Sequence, residues 1–310
     1  MPHQTNMSEN RVVSRIAPTP SGLLHQGNAF NFLLTCLLTR YYDGRLWLRI
    51  DDIDSARSRP EYVEDIFDTL NWLGIEPDEG PSGPGNFYRD HSQQDKMAVY
   101  RKAAERLLDT GKAYACRCSR RKIREASADG IYPETCRRIG KRAFDAPYAV
   151  RSALDDKALN IFVPGLEGKG KPYNLKAGMG DFVIWRKDDA AAYQLASLCD
   201  DEAMGTTLIV RGDDLFSSSA AQLWLAEALE LEKFLAVSFV HHGLLQDESN
   251  HKLAKSEGAL SIRSMRKDGL KVSVLLRKFC KWADLPEKDV NTLSDLQVIF
   301  SDESSKRKLY

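Results

Sequence analysis

The sequence is poor in three things: cysteine, net charge and long apolar runs. Six cysteines in 310 residues are too few for a disulfide-stabilised scaffold and favour a reducing compartment. No run approaches the roughly 18 apolar residues that a membrane-spanning helix needs, and the polar segment 1–10 lacks the apolar core of a secretory signal. A hydrophobic fraction of 43% with 28% charged residues excludes a disordered, collagen-like or coiled-coil chain. We therefore expect a soluble, cytoplasmic protein that binds no membrane and is a monomer.

Charge is balanced in total, with 44 basic and 44 acidic residues, but it is unevenly distributed. Residues 51–95 contain twelve acidic residues against three arginines. Residues 116–142 contain nine basic residues against three acidic ones, and residues 252–281 contain nine against two. Two interpretations stay open, since a basic block is either a docking surface for a polyanion or an ordinary solvated face.

Short apolar segments alternate with helical patterns, which predicts an α/β fold on a parallel sheet with crossover helices. Strands are predicted at 12–16, 46–50, 181–185, 193–198, 206–210 and 237–240. Helices are predicted at 29–38, between Pro60 and Gly74, at 95–110, at 218–231 with serines at the cap, and over most of the last fifty residues.

The alternation breaks between 116 and 180, where the sequence is first basic and then rich in Gly and Lys. This stretch is typical of an insertion into the α/β domain. The predicted division is a first catalytic half at 11–115, the insertion at 116–180, a second catalytic half at 181–258 and a helical tail at 259–310.

Two segments carry residues suited to phosphate chemistry. His25, Gly27 and Asn28 lie between a predicted strand and an apolar helix, where free backbone N–H groups and the helix dipole favour an anion. Lys252 and Lys255 lie in a polar loop after the last predicted strand, where two cations can neutralise a leaving pyrophosphate. Taken singly, the first segment is better explained by a structural turn histidine and the second by a solvated lysine pair.

The order of the two segments resembles that of the class I aminoacyl-tRNA synthetases, whose HIGH and KMSKS motifs follow the first and last strands. Three further stretches resemble the glutamyl branch of that class: 15–22, 48–54 and 210–215. The stretch from Tyr193 to Asp201 does so too. The resemblance extends over roughly residues 11–260 and implies a Rossmann-type catalytic domain.

The resemblance also implies roles for individual residues. Those implied to be catalytic are His25, Lys252 and Lys255. Those implied to bind glutamate are Arg15, Ile16, Ala17, Pro18, Thr19, Asp51, Tyr193 and Arg211. Those implied to bind ATP are His25, Gly27, Asn28 and Lys255. A guanidinium suits a carboxylate because it donates two parallel hydrogen bonds. Position 51 is aspartate where the family more often has glutamate, which leaves the carboxylate one methylene shorter.

Cys116, Cys118 and Cys136, with Tyr132, offer three thiolates and one phenolate, a donor set that completes a tetrahedral zinc site. Three reduced structural cysteines are the alternative. The Cys-x-Cys…Tyr-x-x-x-Cys arrangement is similar to that of the glutamyl-queuosine tRNA(Asp) synthetases, which are short paralogues of the glutamyl enzymes. Cys36, Cys199 and Cys280 have no such neighbours and are expected to be buried apolar residues.

Only 54 residues follow Ser256, too few for a few helices and an anticodon-binding domain as well. The resemblance therefore implies a ligase that activates L-glutamate with ATP and Mg²⁺ and transfers it to the queuosine of tRNA(Asp), with Zn²⁺ in a structural role. A truncated glutamyl-tRNA synthetase acting on the tRNA 3′ end and a non-catalytic tRNA-binding paralogue are the alternatives. A small adenylyltransferase shares the histidine segment but has no use for Arg15 and Arg211.

Overall fold

The computed structural model describes residues 11–127, 130–139, 148–244 and 261–302. Nine strands are described: β1 Val13–Ile16, β2 Arg45–Leu48, β3 Ala113–Cys116, β4 Ala149–Ser152, β5 Ile161–Val163, β6 Lys171–Tyr173, β7 Val183–Trp185, β8 Leu208–Gly212 and β9 Ser238–His242. The helices described are α1 Gln26–Tyr41, α2 Pro60–Leu73, α3 Pro84–Asn86, α4 Met97–Asp109, α5 Arg120–Ala126, α6 Leu175–Gly178, α7 Tyr193–Met204, α8 Phe216–Leu229, α9 Glu232–Leu235, α10 Ile262–Lys267, α11 Val272–Trp282 and α12 Leu293–Ser301.

The chain divides into two compact units, each made of separate segments. The first comprises the residues up to 92, Thr207–Asp214 and the residues from 240 onward. The second comprises Gln93–Thr206 and Leu215–Phe239. These bounds differ from the four segments drawn from the sequence, which stay a prediction.

The first unit is built on a sheet with the strand order β2-β1-β8-β9. Strand β1 pairs in parallel with β2 and with β8, which confirms the predicted parallel sheet. Helix α1 connects β1 to β2 and packs against β1 and β8. Every residue from Ala29 to Thr39 except Asn31 is buried, which explains why the sequence there is mostly apolar, since a helix between a sheet and other helices has little solvent-facing surface.

Local signals set the bounds of α2 where the sequence placed them. Pro60 occupies the first turn, where its missing N–H costs nothing, and Gly74 ends the helix in the left-handed conformation with φ 72°. Val63, Ile66 and Leu70 are buried, as the amphipathic pattern predicts, and Phe67 is half-buried.

The second unit contains antiparallel strands. Strand β4 pairs with β3 and with β7, and β5 forms a hairpin with β6. The predicted strand at 181–185 therefore exists, but it joins an antiparallel sheet with β3 and does not resume the parallel alternation. Helices α4, α7 and α8 pack on one another in this unit.

The predicted strand at 193–198 is wrong, because these residues form the first half of α7. The segment Tyr193–Met204 contains no β-branched residue, and Gly205 ends it in the left-handed conformation with φ 65°. Asp200, on this helix, is buried and accepts hydrogen bonds from Gln93 Nε2 at 2.9 Å, Lys96 Nζ at 3.2 Å and Tyr100 Oη at 3.0 Å. Helical spacing lets Leu195 and Leu198 point into the core together, which strand alternation would not.

The expected serine cap of α8 is also wrong. The cap position is Leu215, whose side chain makes no capping bond, and the serines lie inside the first turn. Ser219 Oγ instead donates to the Leu215 carbonyl at 3.3 Å. The C-terminal part is helical as predicted, and Leu275 and Phe279 of α11 are fully buried.

Of the three cysteines expected to be buried apolar residues, Cys36 and Cys280 are buried, whereas Cys199 is half-buried beside acidic residues. Burial raises the pKa of Cys36 to about 11 and that of Cys280 to about 11. Burial and nearby acidic groups raise the pKa of the half-buried Cys199 to about 12. Among the described helices, none combines the length and the apolar composition that crossing a membrane would demand.

His242, at the end of β9, is a buried histidine that the sequence did not single out. Its ring nitrogens lie 3.0 Å from the Gly243 carbonyl and 3.0 Å from Asn31 Oδ1, and Trp282 packs against its edge. Burial lowers the pKa of His242, against the opposing effects of the Gly243 carbonyl and of the negative charges of nearby Asp213 and Asp214.

Stability of the chain is expected to fall as the pH drops below about 6.5, because the unfolded His242 then binds a proton that the folded one rejects. The contribution reaches at most about 1.4 kcal/mol per pH unit between the ordinary and the lowered pKa. Denaturant unfolding between pH 8 and pH 5 measures it. The variant His242→Gln should show a flatter profile than the parent, while His91→Gln should follow it; equal slopes for parent and His242→Gln would contradict the assignment.

Candidate active site and metal centre

Two buried arginines share one face of the parallel sheet. Ser14 of β1 lies opposite Leu208 of β8, so these two side chains point to the same face of the sheet. Arg15 is one residue beyond Ser14 and Arg211 is three residues beyond Leu208. Because side chains alternate between the two faces of a strand, both arginines point to the other face. They are only 4% and 3% exposed. Two guanidiniums withdrawn from water near the carboxyl ends of parallel strands need anions around them, and ligands of open α/β sheets bind at that edge.

Asp51 belongs to the same edge, and it carries a partner that sequence reasoning missed. The parallel pairing continues past β2, with Arg49 N donating to the Ile16 carbonyl and Asp51 N donating to the Pro18 carbonyl. Arg49 then donates to both carboxylate oxygens of Asp51, through Nε at 2.6 Å and Nη2 at 3.2 Å. The i, i+2 spacing of the two residues on an extended segment was the available signal.

His25 is the N-cap of α1. The ring Nδ1 of His25 accepts a hydrogen bond from Gly27 N at 3.1 Å, and the backbone N–H of His25 donates to Asn28 Oδ1 at 3.0 Å. This reciprocal pair is a capping box. An Nδ1 that accepts carries no proton, so the neutral ring bears its proton on Nε2. The predicted roles of Gly27 and Asn28 in ATP binding therefore coincide with a structural role in orienting His25.

The remaining predicted glutamate residues differ in their exposure. Ile16 is fully buried in the core and Pro18 is buried, whereas Ala17 is half-buried and Thr19 is exposed. Tyr193 is the first residue of α7, in the second unit, and is half-buried. Lys252 and Lys255 lie outside the described residues.

The three predicted cysteine ligands and Tyr132 come together in the second unit. Cys116 ends β3, and the sulfurs of Cys116, Cys118 and Cys136 all lie within 4.8 Å of one another. Cys118 Sγ is 3.5 Å from Cys136 Sγ, and Tyr132 Oη is 3.3 Å from Cys116 Sγ and 3.6 Å from Cys118 Sγ. A tetrahedral zinc with Zn–S bonds of about 2.3 Å holds its sulfurs roughly 3.8 Å apart. The arrangement thus fits zinc in both chemistry and spacing.

The ionisation of this cluster is uneven. Burial opposes ionisation of Cys136, but hydrogen bonds with Tyr132, the backbone of Arg117 and the other two thiols outweigh it and lower the pKa of Cys136 to about 7. Burial, followed by hydrogen bonds with Cys116 and Cys136, raises the pKa of the Tyr132 phenol far above its usual value. The guanidinium of Arg151 lies 4.1 Å from the centre of the Tyr132 ring and fixes its orientation.

Comparison with known proteins agrees with this site. The family described as tRNA synthetases class I (E and Q), catalytic domain, matches residues 11–308. The Glutamyl-Q tRNA(Asp) synthetase of Symbiobacterium thermophilum is 38% identical over 270 residues, which is 82% of this chain and 81% of that protein. The glutamate–tRNA ligase of a Sulfurihydrogenibium species is 33% identical over 300 residues, which is 92% of this chain but 61% of that protein. The crystal structure of the glutamate–tRNA synthetase from Elizabethkingia anophelis superposes with a TM-score of 0.74 at 22% identity, covering 97% of this chain and 67% of that one.

The chain therefore belongs to the class I tRNA synthetases of the E and Q branch, and it is a ligase of the aminoacyl-tRNA synthetase type. The resemblance to the glutamyl-queuosine tRNA(Asp) synthetases, found in the sequence, is confirmed as well. Relatives named Glutamyl-Q tRNA(Asp) synthetase match over most of their own length, including a 34% identical protein from Rhodobacter capsulatus of which 96% is covered.

Zinc is expected at about one ion per chain, measured by mass spectrometry of the purified, dialysed protein. Cys136→Ser should lose most of the metal and lower the unfolding temperature, because structural zinc contributes directly to folding. Tyr132→Phe should keep three thiolates and bind zinc more weakly, and Cys280→Ala, which removes a buried thiol elsewhere, should keep the full content. Parent protein that is folded and metal-free after purification with zinc present would contradict the site.

Proposed function

We propose that this chain activates L-glutamate with ATP to form glutamyl-adenylate and then transfers the glutamyl group to the queuosine base of tRNA(Asp). The observation that carries the proposal is the pair of buried arginines, Arg15 and Arg211, on one face of the sheet beside the helix that His25 caps. The names of the relatives that match over most of their length support the acceptor.

The two arginines suit the side-chain carboxylate of glutamate better than its α-carboxylate. In activation, an oxygen of the α-carboxylate attacks the α-phosphorus of ATP and the bond to pyrophosphate breaks. A carboxylate clamped by two guanidiniums would lose nucleophilicity, so the clamp belongs on the group that does not react. Arg15 and Arg211 thus select a substrate with a second carboxylate and hold it for in-line attack.

Asp51 receives the substrate ammonium in this proposal. Arg49 donates to both oxygens of this carboxylate and keeps the shortened side chain fixed in place. The substrate ammonium donates to the same carboxylate. Orientation rather than net charge is then the main contribution of Asp51, because the Arg49–Asp51 pair is neutral as a whole.

His25 acts on the phosphate. Its Nδ1 is held by Gly27, so the proton lies on Nε2, which donates to an α-phosphate oxygen as charge develops there. Lys252 and Lys255, which lie outside the described residues, are proposed to neutralise the leaving pyrophosphate. Described residues on both sides of that segment, His242 and Ser261, belong to the same unit as His25. Mg²⁺ bound with ATP supplies further charge neutralisation at the phosphates.

Transfer requires an acceptor group of the modified base to attack the glutamyl carbonyl carbon. The bond to AMP breaks and the acceptor releases a proton to solvent.

The basic segment 116–142 offers a surface for the RNA backbone: Arg120 and Arg124 are exposed and line a cavity of about 470 Å³ together with Arg151 and Tyr132. Zinc, when bound, would supply a structural cross-link that holds this segment. We propose that the protein works in the cytoplasm as a monomer.

Glutamate-dependent ATP–pyrophosphate exchange without tRNA tests the first step, with aspartate and glutamine as competing amino acids. Exchange is expected with glutamate alone. Labelled glutamate should then be transferred to tRNA(Asp) that carries queuosine and not to tRNA(Asp) that lacks it. Exchange that requires tRNA(Glu), with glutamate esterified to its 3′ end, would instead establish the truncated glutamyl-tRNA synthetase. Absence of any exchange together with tRNA binding would establish a non-catalytic relative.

Arg211→Lys should reduce kcat/KM for glutamate about a hundredfold, mainly through KM, since losing a bidentate charge-assisted bond costs about 2–3 kcal/mol. Steady-state exchange kinetics measure the change. The matched control is Arg45→Lys, an exposed arginine at the start of β2 that pairs with Glu79, and its kinetics should stay within twofold of the parent. A rise in the KM of ATP without a rise in that of glutamate would place Arg211 elsewhere in the site.

A further inference from the structure

Asp65 is a fully buried carboxylate on α2 that none of the recognised motifs contains. Both of its oxygens are used. Oδ2 accepts a hydrogen bond from Leu24 N at 3.1 Å, and Oδ1 accepts one from Arg266 Nη2 at 2.8 Å and lies 3.4 Å from Arg263 Nε. One carboxylate therefore connects the residue immediately before His25 to helix α10.

The two segments that Asp65 connects also pair with each other. Ile262 N donates to the Leu24 carbonyl at 2.8 Å, and His25 and Ser261 form an antiparallel bridge. Ser261 caps α10 through a hydrogen bond from Ser264 N to its side chain. The backbone before His25 and the start of α10 are thus held together by main-chain pairing and by a shared buried anion.

Charge and burial make this contact costly to break. The carboxylate of Asp65 is completely withdrawn from water, and the side chains of Arg263 and Arg266 are only 27% and 19% exposed. A carboxylate so buried persists only with its partners in place. Asp68, on the same helix, also pairs with Arg266, at 3.2 Å, but its side chain is 59% exposed and it has no bond to Leu24.

We propose that Asp65 is a positioning residue for the activation step: it fixes the main chain that presents His25 and, through Arg266, the helix that follows the lysine segment. The inference rests on the proposed function, because it acts through His25. A displaced Leu24 shifts the His25 backbone and weakens the bonds with Gly27 and Asn28 that set the ring orientation. The phosphate-facing Nε2 proton then leaves its productive position, and a misplacement of about 1 Å is enough to cost roughly a hundredfold in rate.

The test compares Asp65→Asn with the matched control Asp68→Asn, and it reads both kinetics and the histidine ring. In glutamate-dependent exchange, Asp65→Asn should lower kcat at least tenfold and leave the KM of glutamate within twofold, while Asp68→Asn stays within twofold in both. In ¹⁵N spectra of histidine-labelled protein, with the His25 signals assigned through His25→Ala, Asp65→Asn should shift the Nδ1 and Nε2 signals of His25. Asp68→Asn should not shift them.

A double-mutant cycle separates positioning from loss of stability. His25→Ala combined with Asp65→Asn should be no slower than His25→Ala alone, because the histidine through which Asp65 acts is already gone. Rate losses that multiply, or unchanged His25 signals in folded Asp65→Asn protein, would overturn the inference. If Asp65→Asn does not fold, Arg266→Lys, which retains the charge and loses the planar donor, takes its place with the same expected changes.

The ¹⁵N measurement also distinguishes failure of the proposed function from failure of the inference about Asp65. Parent protein without exchange activity would refute the proposed function. The ¹⁵N shifts would still report whether Asp65 controls the His25 ring.

Discussion

The parallel pairing of β1 with β2 on one side and β8 on the other is the constraint on which the site of the first unit depends. It joins β1 to a strand 32 residues away and to another 194 residues away in the sequence, and it sets their register at single residues. Because side chains alternate along a strand, that register places Arg15 and Arg211 on one face. A shift of one residue would turn one guanidinium into the opposite layer, where it would be buried without a use.

Buried polar or charged side chains recur at the candidate sites of this molecule, and each instance is stabilised differently. Arg49 holds Asp51 across two residues of one extended segment. Asp65 gathers two arginines and a backbone N–H from distant parts of the first unit. The thiols beside Tyr132 share hydrogen bonds that lower the pKa of one of them to about 7, a state prepared for a cation. In all three, specific hydrogen bonds offset the cost of desolvation.

Much of the fold followed from local patterns. The helical period and the Pro60 and Gly74 signals gave α2, and the apolar run gave α1. Helix α7 was mistaken for a strand because a short apolar segment is compatible with either structure, and the decision comes from what the segment packs against. Its buried Asp200 accepts hydrogen bonds from three donors in the region around α4. A short stretch of sequence does not reveal such contacts. The same limitation applied to β7, whose antiparallel partners lie more than thirty residues upstream.

The sequence by itself determined the chemistry of the protein: which side chains can bind a carboxylate, a phosphate or a zinc ion, and in what order they occur. Those properties belong to residue types and to short spacings, so they survive without any knowledge of the fold. Tertiary structure alone decided which groups meet. The joining of Tyr132 to three sulfurs and the contact of Asp65 with Arg266, 201 residues away, depend on packing between segments that are distant in the sequence. A buried charge or donor needs a hydrogen-bond partner, and the partners within its reach are settled only once the core is assembled.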